Sequence, residues 1–167
     1  MIQAALSYIY TPFATTLSEY RFKSEVKKFV VLSLKITAAI CLFAIVMLVF
    51  SWFFGEFALF LLFGEEIVSH VSFLVPILIA ITALAIFGFL CMLAIVLRNM
   101  VSLVIGSAAG FISTAFVTMP MINQFGVNGT SYSLTVSVFI SNAFLVVGII
   151  YTLYSDSKKV HAVKERN

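Results

Sequence analysis

Charged residues are scarce in this 167-residue chain. Asp, Glu, Lys and Arg make up 10% of it, against about 25% in an ordinary soluble domain, and only four of them lie between Ile36 and Tyr154. Hydrophobic residues make up 62% of the chain. No globule of this size could bury so much apolar surface away from water, whereas a bilayer removes the need to bury it. The composition therefore excludes a soluble domain and predicts an integral membrane protein.

Residues that commonly carry enzyme or metal chemistry are also few. Cys41 and Cys91 lie inside apolar stretches without CxxC spacing, and His70 and His161 are far apart in the sequence. Neither a disulfide nor a metal site is indicated. No P-loop, no Gly-rich nucleotide fingerprint and no Ser/His/Asp arrangement occurs. We therefore expect no enzyme activity, no cofactor and no metal.

Long apolar stretches are what the chain does have. A helix rises about 1.5 Å per residue and needs roughly 20 residues to cross a hydrocarbon core of about 30 Å. Four stretches are long enough, and none shows the alternation of barrel strands; they are residues 36–54, 71–97, 101–122 and 132–154. The predicted fold is all-α: a polytopic membrane bundle with four transmembrane helices.

The flanking segments differ from these four spans. Residues 1–35 combine a short apolar stretch with a charged segment that we expect to be an amphipathic, cytoplasmic helix. Their charges follow the apolar part, which is the reverse of a signal peptide. After the transmembrane domain, 36–154, residues 155–167 form a basic tail. In the first connection, the apolar piece 57–64 either extends the first helix or lies in the membrane interface.

The distribution of Lys and Arg predicts the orientation. In an alternating four-span topology all ten basic residues fall on one side, and the connection 55–70 contains glutamates but no basic residue. Lys and Arg are retained on the cytoplasmic side, so both termini are expected on that side of the membrane. The net charge of +3 is then explained by membrane lipids as partners, and no nucleic acid is expected.

A few small and polar residues inside the spans are candidate sites. Gly106 and Gly110 form a GxxxG motif, which lets a second helix backbone approach closely, either within the chain or at a dimer contact. Asn142 is the most costly polar group to leave unpaired in lipid. Together with Ser141 and Thr114 it either bonds a neighbouring helix or faces a substrate cavity.

Three loose motifs, taken in order, carry a resemblance to a known family. The first is the block 1–28, with an aromatic–proline pair at Tyr10-Thr11-Pro12-Phe13 before a charged segment. The second is LFLLFGEE at 59–66, and the third is Pro120 followed by FGVNGT at 125–130. In this order and spacing the chain resembles the C-terminal part of bacterial polysaccharide or O-antigen flippases. These belong to the multidrug/oligosaccharidyl-lipid/polysaccharide exporter superfamily. The resemblance implies that a helix ends at the first motif's proline, that the second motif lies at an outer helix end, and that the third opens the last helix.

The resemblance implies a transporter in the bacterial cytoplasmic membrane that moves a lipid-linked oligosaccharide across it by alternating access. Such flippases have about twelve helices in two lobes, so the chain would be a fragment supplying only part of one lobe. Its partners would be a missing N-terminal lobe or further copies of itself. Two alternatives remain: a non-transporting remnant or assembly partner, and a small homodimeric four-span transporter with Gly106 and Gly110 at the contact.

Overall fold

The described part of the chain is helical throughout. The computed structural model describes residues 2–23, 25–64 and 73–164, and within these ranges no strand occurs. The helices are α1 (Ile2–Phe22), α2 (Val26–Phe63), α3 (Leu74–Val96), α4 (Met100–Phe125) and α5 (Asn128–Lys164). Four of them contain a segment long and apolar enough to cross a membrane: Val26–Phe57, Leu74–Val96, Met100–Phe125 and Asn128–Ser155. The predicted all-α membrane bundle is confirmed.

The first spanning helix is longer than its apolar stretch indicated. It begins at Val26, ten residues before the predicted start, because lysines favour helix and let it continue into the membrane interface. The apolar piece 57–64 extends this helix, which ends at Phe63. Gly64, with φ of 83°, then breaks the helix. The two glutamates that follow, Glu65 and Glu66, lie outside the described residues.

The N-terminal helix continues past its proline. The family resemblance implies a helix end near Pro12, but α1 runs through this residue to Phe22. Pro12 lacks a backbone N–H, yet its carbonyl accepts hydrogen bonds from the hydroxyls of Thr15 (2.8 Å) and Thr16 (3.2 Å). The break between α1 and α2 lies instead at residues 23–25.

Helices α3 and α5 together form the centre of the arrangement. Helix α3 packs against each of the other described helices. Helix α5 packs against α4 on one side and α3 on another. In the most apolar segments of α3 and α5, 33% and 39% of the residues are buried, against 11% in α2 and in α4. Helices α2 and α4 therefore flank the bundle, with most of their surface facing outward.

The hydrophobic core lies toward the end of the bundle where α3 turns into α4. There α1 and α2 contribute Leu17 and Phe29, which pack with residues from the second half of α3 and with Leu145 and Ile149 of α5. The turn itself is tight. Arg98 adopts a left-handed conformation (φ 54°), and the N–H groups of Arg98 and Asn99 bond the carbonyls of Ile95 and Ala94, both at 2.9 Å. This pattern is a Schellman motif.

The outward faces of α2 and α4 are rich in large apolar side chains. Trp52 is 81% exposed on α2, and Phe111 and Phe116 are 79% and 75% exposed on α4. Soluble monomers rarely expose contiguous apolar patches of this size. Lipid contact accounts for them, which makes this a multi-pass membrane protein.

The orientation predicted from the basic residues leads to a labelling experiment. In a variant without Cys41 and Cys91, single cysteines are introduced at Gln124, exposed at the end of α4, and at Lys27, exposed near the start of α2. With basic residues retained in the cytoplasm, an impermeant thiol reagent added to intact cells should label position 124 but not position 27. Both positions should react after cell lysis. If position 27 were labelled in intact cells and position 124 were protected, the predicted orientation would be wrong.

Candidate functional site

A seam of small residues joins α4 to α5 along their length. Gly106 and Gly110 are buried on α4, opposite Ser137 and Ser141 of α5. A Cβ atom on Gly106 would lie 3.0 Å from Leu145 Cγ and 3.3 Å from the Ser141 carbonyl, and one on Gly110 would meet Ser141 Oγ. The two glycines therefore allow a close backbone approach within this chain. The dimer alternative required this face for a second copy, but α5 already occupies it.

Serines spaced four residues apart form the α5 side of the seam. Ser133, Ser137 and Ser141 are 1%, 2% and 5% exposed, because a spacing of four keeps side chains on one helix face. The Ser141 hydroxyl donates to the Gly106 carbonyl at 2.9 Å, and the hydroxyls of Ser133 and Thr118 are hydrogen-bonded at 2.7 Å. Such interhelical bonds contribute about 0.6 kcal/mol each in a membrane.

Asn99 ties the other end of α4 to α5. Its Oδ1 accepts from the Ser102 N–H at 3.0 Å and caps the start of α4. Its Nδ2 donates to the Gly148 carbonyl at 3.0 Å and to Thr152 Oγ1 at 2.8 Å. This residue was not among the candidates from sequence. An Asn just before an apolar run signals a helix cap, but nothing local indicates its partners 49 and 53 residues away.

Asn142 and Ser141 are neighbours on α5, but their side chains form hydrogen bonds with different adjacent helices. Asn142 is 7% exposed and donates from Nδ2 to the Ala83 carbonyl of α3 at 3.3 Å, while its Oδ1 has no partner among the described residues. Ser141 bonds α4. Consecutive helix positions point about 100° apart, so α5 is held from two sides. The proposed cavity contact of Asn142 stays a prediction.

Thr114 is the candidate that the structure does not bring to the seam. It is exposed on α4, and its hydroxyl donates to the Gly110 carbonyl of its own helix at 2.9 Å. A threonine needs no interhelical partner when it can bond back to the preceding turn. A polar cluster of Thr114 with Ser141 and Asn142 is therefore not formed by hydrogen bonds within the described part of the chain.

Basic residues gather where α1 meets α2. An open groove of about 290 Å³ lies there, lined by Tyr20, Lys27, Lys28, Val31, Leu32 and Lys35. Nearby, Lys23 Nζ lies 2.6 Å from Glu19 Oε1. This hydrogen bond lowers the pKa of the Glu19 carboxyl and raises the pKa of Lys23 from their ordinary values. Both side chains are 59% exposed, so water screens the pair and its contribution to folding is small.

The described residues contain no group of three His, Cys, Asp or Glu side chains that could hold a metal ion. Cys41 is exposed and Cys91 is half-buried, and both are free thiols. A search of family models, curated proteins and solved structures found nothing that matches this chain.

Proposed function

We propose that this chain is part of a membrane transporter that moves a lipid-linked oligosaccharide from the cytoplasmic to the outer leaflet. The observation that carries the proposal is the agreement between two of the three family-like motifs and the helix ends. LFLLFG contains Phe63, the last residue of α2, and the glycine that follows it, and FGVNGT spans the turn between α4 and α5. The first motif does not agree in this way, because α1 continues through Pro12. Motifs that lie at helix ends favour a shared topology over a chance likeness.

The packing of α4 against α5 also supports a transporter lobe. Alternating access needs lobes that rock largely as rigid bodies. Close backbone contact at Gly106 and Gly110, together with hydrogen bonds at both ends of the hairpin, gives such a unit. The outward surfaces of α2 and α4 leave room for the helices that would complete a lobe and enclose a glycan path. Those helices would come from another chain or from further copies.

The proposal predicts that activity depends on added helices. Expressed alone in a cell lacking its polysaccharide flippase, the chain should not restore surface polysaccharide, because the polar side chains of α5 bond α3 and α4 instead of enclosing a glycan path. Co-expression with an N-terminal eight-helix portion of a flippase of that family should restore it. The measurement is surface polysaccharide on gels, with membrane levels of each chain checked by immunoblot.

A matched pair of variants controls this experiment. Gly110→Leu places bulk into the α4–α5 seam, whereas Ala108→Leu adds a similar side chain on the exposed face of the same helix. Restoration should be lost with Gly110→Leu and kept with Ala108→Leu. Restoration by the chain alone would instead favour the small self-assembling transporter. No restoration in any combination, with both chains present in the membrane, would favour the non-transporting assembly partner.

A further inference from the structure

The groove where α1 meets α2 (the α1–α2 elbow) combines lysine side chains with an apolar lining. Its lysines lie on α2 at positions 27, 28 and 35, and its apolar lining comes from Val31 and Leu32, with Tyr20 of α1 on the opposite side. The volume of about 290 Å³ is at the lower limit of small-molecule pockets. The groove is large enough for a compact polar headgroup, and the acyl chains of a lipid would extend beyond it.

The charge of this groove is only partly neutralised by the protein. Lys28 Nζ lies 2.9 Å from Glu25 Oε1, and Glu19 is engaged by Lys23. Within the described ranges, no carboxylate forms an ion pair with Lys27 or Lys35, and both side chains are exposed. Two cations of the groove therefore have no anionic partner from the described protein.

The spacing of these lysines suits a lipid that stands upright in the membrane. Lys27, Val31 and Lys35 are each four residues apart, so they lie on one face of α2 and span about 12 Å along its axis. Beyond Lys35 the exposed residues become apolar, with Leu42 and Val46 65% and 55% exposed. A phosphate held between the lysines would place its acyl chains along this apolar face. Long lysine side chains at a membrane interface reach to headgroup level in this way.

We propose that the α1–α2 elbow is a binding site for an anionic glycerophospholipid. Its phosphate is held by Lys27 and Lys35, with Lys28 adding a donor, and its acyl chains lie against α2. Charge complementarity and continuity with the lipid-facing surface select this occupant over a soluble anion. The bound lipid anchors the elbow in the headgroup region of one leaflet. The inference rests on the membrane location and is independent of the transport proposal.

The test reports contact between lipid and groove directly. Tyr20 lines the groove and becomes the sole tryptophan in a Tyr20→Trp, Trp52→Phe protein reconstituted in bilayers. Its fluorescence is titrated with brominated phosphatidylglycerol or brominated phosphatidylcholine. One lysine near a membrane surface favours an anionic lipid by about fivefold, so phosphatidylglycerol should quench with at least a fivefold higher relative affinity. This preference should fall in 0.5 M salt, since ions screen it.

Two charge-matched variants decide whether the lysines form a site. Lys27→Gln with Lys35→Gln should reduce the preference about fivefold or more, leaving only what Lys28 supplies. Lys23→Gln with Arg98→Asn also removes two exposed cations on the same predicted side, and asparagine tolerates the left-handed backbone at position 98. This control should keep the preference.

A second measurement uses the chain with Tyr20 intact. In native mass spectrometry, phosphatidylglycerol should stay bound to the parent protein and to the control, and be lost from the Lys27/Lys35 variant. Equal quenching by both lipids in the parent, or an equal fall in both double variants, would overturn the proposal. The second result would mean that general surface charge, and not a site, attracts the lipid. Displacement of the lipid by millimolar inorganic phosphate would show a soluble-anion site instead.

Discussion

Replacing Gly129 with alanine is expected to cost about 3 kcal/mol or more of the free energy of unfolding. Gly129 is buried in the first turn of α5, where a Cβ atom would overlap the Met121 carbonyl and lie 2.6 Å from the backbone nitrogen of Ile122. A backbone obstacle cannot rotate away as a side chain can. The turn between α4 and α5 would therefore have to open, at or beyond the upper end of the 1–3 kcal/mol usual for overpacking.

The measurement is reversible unfolding in mixed micelles, followed by circular dichroism. Gly106→Ala provides a graded comparison, because its nearest obstacle is the Leu145 side chain at 3.0 Å, which can shift. We expect a smaller loss there. Gln124→Ala, on an exposed residue near the end of α4, should change little and serves as the control. If Gly129→Ala lost no more stability than this control, the backbones of α4 and α5 would not be in close contact at Gly129.

Replacing Asn99 with alanine is expected to cost about 2 kcal/mol. The variant loses the cap of α4, worth about 1 kcal/mol, and two hydrogen bonds to α5, worth about 0.6 kcal/mol each in a membrane. It also leaves the Gly148 carbonyl with one hydrogen bond fewer. Thr152 Oγ1 still donates to that carbonyl at 3.0 Å, which limits the loss.

Asn99→Asp separates the two contributions. Aspartate caps a helix as well as asparagine, but it has no N–H with which to reach Gly148 or Thr152. We expect it to retain the cap and to lose about half as much stability as Asn99→Ala. Asn123→Ala, the same exchange at an exposed position of α4, is the matched control. Equal losses for Asn99→Ala and Asn123→Ala, measured as above, would show that Asn99 does not hold the hairpin together.

Part of the α4–α5 seam could be predicted from the sequence. The spacing of Gly106 and Gly110 marks a close helix approach in any membrane protein, and serines at 133, 137 and 141 share one helix face. Gly129 and Gly148 carry no such pattern. Each is a single glycine, and only the structure shows the backbone of Met121 and the side chain of Ser102 beside them.

The helix ends show a similar division. Gly64 at the end of α2 and Gly126 before α5 could be read as breaks, since few residues other than glycine adopt their φ values of 83° and 59°. The start of α2 at Val26 and the passage of α1 through Pro12 were not visible. Hydropathy marks where a helix enters lipid, and helical backbone continues wherever residues and hydrogen bonds allow it.

The sequence by itself determined that this protein belongs in a membrane, that four helices are long enough to cross it, and that its cations gather on one predicted side. It did not determine which helices are neighbours. In water an apolar stripe indicates the buried face of a helix, but lipid tails are as apolar as a protein interior. Hydrophobicity therefore carries little information about which face meets protein. Backbone approach at the small residues and a few interhelical hydrogen bonds decided that α5 lies between α3 and α4, and only the tertiary structure shows them.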